Sequence, residues 1–138
     1  MILYKIKSDL ITHLNNLRED NFKIGLVPTM GALHKGHASL IRESLKENNY
    51  TIVSIFINPT QFNDKIDLTT YPKNLIKDCN YIDTISDNII VFAPEISEIY
   101  GKKLFVKKFN FRSLDRFMEG QNRKNHFNGV ATVVICLL

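Results

Sequence analysis

Apolar residues return at helical spacing through residues 8–21, where Leu10, Ile11, Leu14 and Leu17 share one face and polar side chains fill the other. Ser8 stands where an N-cap belongs. The period then changes: Ile24-Gly25-Leu26-Val27 is a short apolar run stopped by Pro28, which predicts a buried strand feeding a loop. A second helical pattern covers residues 37–48 and buries Ala38, Ile41 and Leu45. Next comes Ile52-Val53-Ser54-Ile55-Phe56-Ile57, β-branched or aromatic almost throughout, as an internal parallel strand requires. Asn58-Pro59 ends it, and a polar loop continues through Asp67. Pro72 opens a further helix burying Leu75, Cys79 and Ile82, before Ile89-Ile90-Val91-Phe92 gives a third strand closed by Pro94.

Strands alternating with helices predict an α/β fold, a Rossmann-like parallel sheet with flanking helices. No internal repeat, low-complexity tract or linker interrupts residues 1–138, so they read as one domain. Beyond Pro94 the pattern is less regular. Residues 104–111 suit an extended arm, 113–118 a short helix, and 119–129 a polar loop rich in Asn, Arg and Lys. Val130 to Leu138 is apolar apart from Thr132, and the chain stops inside this element without a polar tail or C-cap. That pattern is expected of a chain truncated at its C-terminus, because termini normally lie on the surface.

Charge changes the picture little. There are 18 Lys plus Arg against 14 Asp plus Glu, a net charge of +4 and a pI near 9.1. The excess is spread along the chain, and its densest stretch, Lys102, Lys103, Lys107 and Lys108, is broken by Leu104, Phe105 and Val106. A solvated face explains that alternation better than a nucleic-acid patch, so no nucleic-acid partner is expected. The 44% hydrophobic content argues against wholesale disorder, and no apolar run reaches the roughly 18–20 residues that span a membrane. Cys79 and Cys136 have no Cys or His at metal-ligand spacing and read as buried thiols. Met1 to Lys7 lacks a signal-peptide core, which makes the cytoplasm the expected compartment.

The chemistry concentrates in Pro28-Thr29-Met30-Gly31-Ala32-Leu33-His34-Lys35-Gly36-His37, between the first internal strand and the next helix. Ligands of parallel sheets bind at the carboxyl ends of strands, and a helix N-terminus there offers N–H groups and a positive dipole to phosphate. Gly31 and Gly36 would let the backbone approach a ligand, and His34 and His37 would donate to charge building on a phosphate. H-x-G-H at a strand-to-helix junction is therefore coherent as a nucleotide triphosphate site; the plainer reading is a helix cap facing solvent. Gln61 follows the second internal strand, at the same sheet edge as His34 by topology, although a plain loop glutamine also fits. His13 reads as a surface residue of the first helix. Asp64, Asp67 and Asp78 form no recognisable ligand set, so they read as solvated and no metal site is assigned.

These residues resemble a known family. P-T-M-G-A-L-H-K-G-H, S-I-F-I-N-P-T-Q-F (Ser54 to Phe62), Tyr71-Pro72, F-A-P (Phe92 to Pro94) with Glu98-Ile99-Tyr100, M-E-G (Met118 to Gly120) and H-F-N-G-V (His126 to Val130) occur in the order seen in pantothenate synthetases (pantoate–β-alanine ligases). H-x-G-H alone would indicate only the broader nucleotidylyltransferase-like superfamily; N-P-x-Q-F narrows it. The resemblance implies that Met30, Gly31, Ala32, Leu33, His34, Lys35, Gly36 and His37 line an ATP site, with His34 and His37 catalytic and His37 the proton donor. It implies pantoate and β-alanine binding by Gln61, with Thr29, Asn58 and Tyr71 nearby. The implied reaction uses Mg-ATP to activate pantoate as an adenylate, which β-alanine then attacks, and the implied assembly is a homodimer.

The resemblance also marks departures. Where the family shows Arg-Pro-Gly-His, this chain has Arg123-Lys124-Asn125-His126, so a direct role for His126 is not carried over, and Arg123 reads as solvated. The stretch Val133-Val134-Ile135-Cys136-Leu137-Leu138 lacks the family's lysine, and the G-x-K-D-x-x-Q segment, the S-S-R-N loop and the C-terminal domain do not occur. Residues 1–138 would then be an incomplete nucleotide-binding domain. The competing expectation is a truncated, inactive remnant that binds nucleotide weakly or serves as an interaction module; another H-x-G-H adenylyltransferase is the third.

Overall fold

Three apolar runs and one segment too short to show a period pair into a single parallel sheet. A computed structural model describes residues 1–108 and 126–138. Its strands are β1 (Ile2–Tyr4), β2 (Ile24–Thr29), β3 (Tyr50–Ile55) and β4 (Ile89–Phe92), in the order β1-β4-β3-β2. β1 was not expected, because three residues carry no readable alternation; it is held by pairing Ile2–Tyr4 with Ile90–Phe92. β3 lies two residues earlier than its pattern suggested. β2 does not stop at Pro28 but continues to Thr29, with Pro28 opposite Ser54. A proline is tolerated there because β2, among the described residues, pairs only with β3, and a missing N–H on an edge strand breaks no ladder.

The described residues cluster into two units, Met1–Phe56 with Pro72–Glu95, and Ile57–Tyr71 with Ile96–Leu138. In the first, alternate positions of the central strands put Val27, Val53 and Val91 on one face, and Ile41 and Ile82 close over them. Ile41 belongs to α2 (Lys35–Glu47) and Ile82 to α4 (Leu75–Asp83). Polar pairing continues the packing where α2 meets β3, since the Ser44 and Thr51 hydroxyls lie 2.7 Å apart. α1 (Lys7–Glu19) buries Leu10 and Leu17 as its spacing requires, but it starts at Lys7 after Ile6, so Ser8 is inside the first turn and is not the cap. Helix α4 starts at Leu75 rather than at Pro72, because the Asn74 carboxamide accepts from the Lys77 N–H at 3.0 Å and fixes the start there. Cys79 and Cys136 are free thiols, each half-buried.

The second unit corrects two loops. The stretch expected as irregular through Asp67 contains a 3-10 turn, Pro59–Gln61, and a short helix α3 (Lys65–Thr70), whose first turn is capped by Asp64 accepting from the Ile66 N–H at 2.8 Å. After α5 (Ile96–Tyr100), residues 104–108 have no regular secondary structure, and α6 (His126–Leu137) starts four residues before the apolar run that announced it. The expected short helix at 113–118, Met118 to Gly120 and Arg123 lie outside the described residues, as does the side chain of His126.

Among the described residues, one buried side-chain group has no hydrogen-bond partner. Ser54 is fully buried, and among the described residues its Oγ makes no hydrogen bond. Desolvating a hydroxyl without compensation is destabilising by about 1–3 kcal/mol. Ser54→Ala is therefore expected to leave stability unchanged or raise it by about 1 kcal/mol, whereas Ile41→Ala, which empties a fully buried position, lowers it by about 2–5 kcal/mol. Denaturant midpoints of the two variants check this, and a clear loss with Ser54→Ala would contradict it.

Candidate functional site

The loop between β2 and α2 is built by its own N–H groups turning inward. Gly31 N–H donates to Thr29 Oγ1 at 3.2 Å, and Thr29 Oγ1 in turn donates to the Ser54 carbonyl at 2.8 Å, which clips the loop to the end of β3. The next two N–H groups, of Ala32 and Leu33, donate to the two carboxylate oxygens of Asp78 at 3.0 and 2.9 Å. Gly31 and Ala32 both have positive φ, +79° and +51°. Glycine adopts that conformation freely, but for Ala32 it costs about 1–2 kcal/mol. A side chain at position 31 would also meet Asp78, whose Oδ2 lies 2.9 Å from where a Cβ would be.

Asp78 was expected to be solvated on its helix. It is instead a buried residue in the first turn of α4, only 5% exposed, and its charge is satisfied by the loop amides. The signal that could have found it is positional: an aspartate three residues after Leu75 sits beside the apolar face formed by Leu75, Cys79 and Ile82.

The two histidines form the start of α2, which begins at Lys35 rather than His37. His34 is the N-cap: its Nδ1 accepts from the Gly36 N–H at 3.0 Å, and His37 Nδ1 accepts from the His34 N–H at 3.2 Å, a reciprocal capping box. The rings lie 4.1 Å apart between centroids, tilted by 51°. A nitrogen that accepts carries no proton, so these bonds use the bare Nδ1 of each ring and leave Nε2 to carry the N–H. Burial pushes the His37 pKa below its ordinary value, the neighbouring His34 pushes the same way, and Asp78 opposes them. Met30 and Leu33 are half-buried, while Ala32, His34, Lys35 and Gly36 are exposed. The loop and the two imidazoles thus make a donor-bearing surface at the positive end of a 13-residue helix.

A concavity of about 440 Å³ runs along β2 and α2 beside Leu40, Glu43, Ser44 and Glu47. Two carboxylates make it a poor host for a triphosphate.

The remaining predicted residues fall in the second unit. Asn58 is fully buried and engaged on both sides: its Nδ2 donates to the Gly129 carbonyl at 3.0 Å, and its Oδ1 accepts from the Thr60 hydroxyl, the Thr60 N–H and the Tyr100 hydroxyl. Burial raises the Tyr100 pKa, which keeps the phenol protonated as the donor. Gly129 allows α6 to approach the 3-10 turn, since a Cβ there would lie 2.4 Å from the Thr60 carbonyl oxygen. Gln61, at the end of this turn, is 7% exposed. Tyr71 packs edge-on against Phe62, with ring centroids 5.7 Å apart. His34, His37 and Thr29 are thus brought together in the first unit, and Asn58 and Gln61 on one turn in the second.

Residues 2–138 match the family model described as pantoate-beta-alanine ligase. The chain belongs to that family. It is 50% identical over 134 residues to the pantothenate synthetase of Azobacteroides pseudotrichonymphae, covering 97% of this chain and 48% of that protein. With the pantothenate synthetase of Flavobacterium psychrophilum the identity is 46%, over 97% of this chain and 48% of the relative. Among solved structures, the pantoate-beta-alanine ligase of Francisella tularensis, described as complexed with beta-gamma ATP and beta-alanine, superposes with a TM-score of 0.83 at 38% identity, over 100% of this chain and 52% of that one. The chain therefore spans about half the length of the ligases it matches. Among the described residues, no helix is long and apolar enough to cross a membrane.

The histidine pair of this ligase-family loop gives a pH signature. With the folded His37 pKa below 6.5, the unfolded chain binds more protons than the folded one just under that pH. The stability contributed by neutral His37 is complete above pH 6.5 and declines as acid takes the pH from there toward the folded value. An NMR titration should place the His37 midpoint below 6.5; a midpoint at or above it contradicts the assignment.

Proposed function

We propose that this chain carries the ATP-binding, carboxylate-activating part of pantoate–β-alanine ligase chemistry. In the first step the pantoate carboxylate attacks the α-phosphorus of Mg-ATP, giving pantoyl adenylate and pyrophosphate. In the second, the amine of β-alanine attacks the acyl carbon, forming the amide of pantothenate and releasing AMP with the bonding electron pair. Activation is required because a carboxylate is a poor electrophile, and the protein's contribution is positioning and charge stabilisation. The observation that carries the reading is the histidine capping box, which engages both Nδ1 atoms and leaves two Nε2–H donors at the N-terminus of α2.

In this reading His34 and His37 donate to the phosphates, and negative charge growing on the transferring group strengthens both bonds. His37 acts as a hydrogen-bond donor through Nε2, its Nδ1 being occupied as an acceptor. Gln61 supplies an amide to pantoate, with Tyr71 nearby; Thr29 and Asn58 contribute through the loop and the turn that they hold. Magnesium enters as part of the Mg-ATP substrate. Among the described residues no group of three or more His, Cys, Asp or Glu could cage it, and both Asp78 oxygens are already bonded. A cytoplasmic homodimer completes the proposal, the dimer being measurable by sedimentation.

A second reading is nucleotide binding without turnover by these residues alone, which match about half of each relative. Pantoate-dependent exchange of labelled pyrophosphate into ATP separates the two. Exchange without β-alanine supports adenylation, and His37→Ala should slow it by about 100-fold or more. Absent exchange with ATP bound favours the second reading. A His37→Ala variant that exchanges at the parent rate removes the catalytic assignment.

A further inference from the structure

A helix-start loop that binds phosphate ordinarily points several backbone N–H groups at the ligand. This one turns most of them inward. The N–H groups of Gly31, Ala32, Leu33, His34 and Gly36 all have partners inside the protein, and those of the left-handed Ala32 and of Leu33 after it are bonded to a buried carboxylate. A carboxylate receiving two adjacent N–H groups occupies the place that an anionic ligand takes in such a nest. We propose that Asp78 is a built-in anion for this loop, a positioning residue that holds Gly31 to His34 in ligand-ready form before nucleotide arrives and leaves phosphate recognition to the imidazoles.

Three observations converge on this. The first is the bidentate geometry, with one oxygen to each N–H at 3.0 and 2.9 Å. The second is Ala32, a non-glycine residue at φ +51°, whose unfavourable backbone persists only where surrounding contacts over-determine it. The third is the burial of Asp78 on a different helix, 45 residues from Leu33 in sequence, so that the core of α4 fixes where the loop sits. The consequence reaches the site directly. Leu33 is followed by His34, whose N–H and Nδ1 form both halves of the capping box, so the Asp78 clamp sets the starting point from which both rings are aimed. A negative charge beneath residues 32–33 also disfavours a phosphate laid on that stretch, which directs the triphosphate to the His34 and His37 side of the loop.

The role in ATP binding rests on the nucleotide-site reading above; the anchoring itself does not. Asp78→Asn keeps the size of the side chain but can accept from only one of the two N–H groups, and turns an NH₂ toward the other. In the parent chain, the Ala32 and Leu33 amides should exchange with deuterium at least tenfold more slowly than the exposed Lys35 amide. In Asp78→Asn that protection should fall at least tenfold and the His34 and His37 imidazole resonances should move, while amides in β3 and β4 keep their rates. ATP affinity, measured by calorimetry, should weaken about tenfold or more. Parent amides at 32 and 33 that exchange as fast as that of Lys35 overturn the proposal, and this holds whether or not the variant folds. A folded variant with unchanged exchange and unmoved imidazoles overturns it too. A parent chain that binds no ATP, with the exchange pattern as expected, sinks the nucleotide reading and leaves the anchor standing.

Discussion

The carboxylate of Asp78, buried under the β2–α2 loop and bonded to two of its N–H groups, is the contact on which the site depends. A buried charge is tolerated only when its hydrogen-bonding capacity is met, and the amides of Ala32 and Leu33 meet it. In return, the carboxylate stabilises a left-handed alanine that an isolated loop would avoid. From that fixed point the chain enters α2 through a cap made of two imidazoles, so the element that stabilises the helix start and the element that would contact substrate are the same pair of side chains. Each acceptor bond at Nδ1 leaves the proton on Nε2, and folding thereby sets the chemical form of the donors.

The second unit follows the same logic with uncharged groups. Asn58 is fully buried and joins α5, the 3-10 turn and α6 through Tyr100, Thr60 and Gly129. A carboxamide suits this place because it donates on one side and accepts on the other, which neither Asp nor Leu could do. The turn that carries Gln61 is therefore held by a network rather than by apolar packing alone. In such a network a lost member strands its neighbours, so its cost exceeds that of a single bond.

Much of this was legible in the amino-acid pattern. The β-branched runs at Ile52 and Ile89 became the two central strands, since internal parallel strands are apolar on both faces and read as unbroken runs. Ala38, Ile41 and Ile82 face the core as their spacing required. H-x-G-H marked the junction that the structure shows, and the family followed from it together with N-P-x-Q-F. What the pattern hid was tertiary. Three residues at Ile2–Tyr4 carry too little periodicity to declare a strand, and Pro28 looked like a stop because nothing local says that β2 is an edge. Ser8 looked like a cap, but the helix had already begun one residue earlier, after Ile6. Asp78 looked solvated because an aspartate on a helix usually is, and its partners lie 45 and 46 residues away. Asn58 sat in a recognised motif, yet its bonds reach Gly129, 71 residues on.

In the proposed function, folding delivers His34 and His37 as Nε2–H donors to a nucleotide phosphate. Imidazole ¹⁵N chemical shifts, recorded near neutral pH with and without Mg-ATP, test it most directly because they report which ring nitrogen bears the proton. Both rings are expected to show a protonated Nε2 and an unprotonated Nδ1 before ligand is added, and Mg-ATP to move the Nε2 signals while the Nδ1 signals stay near their starting values. Rings protonated at Nδ1, or Nε2 signals unmoved under saturating Mg-ATP, would contradict it.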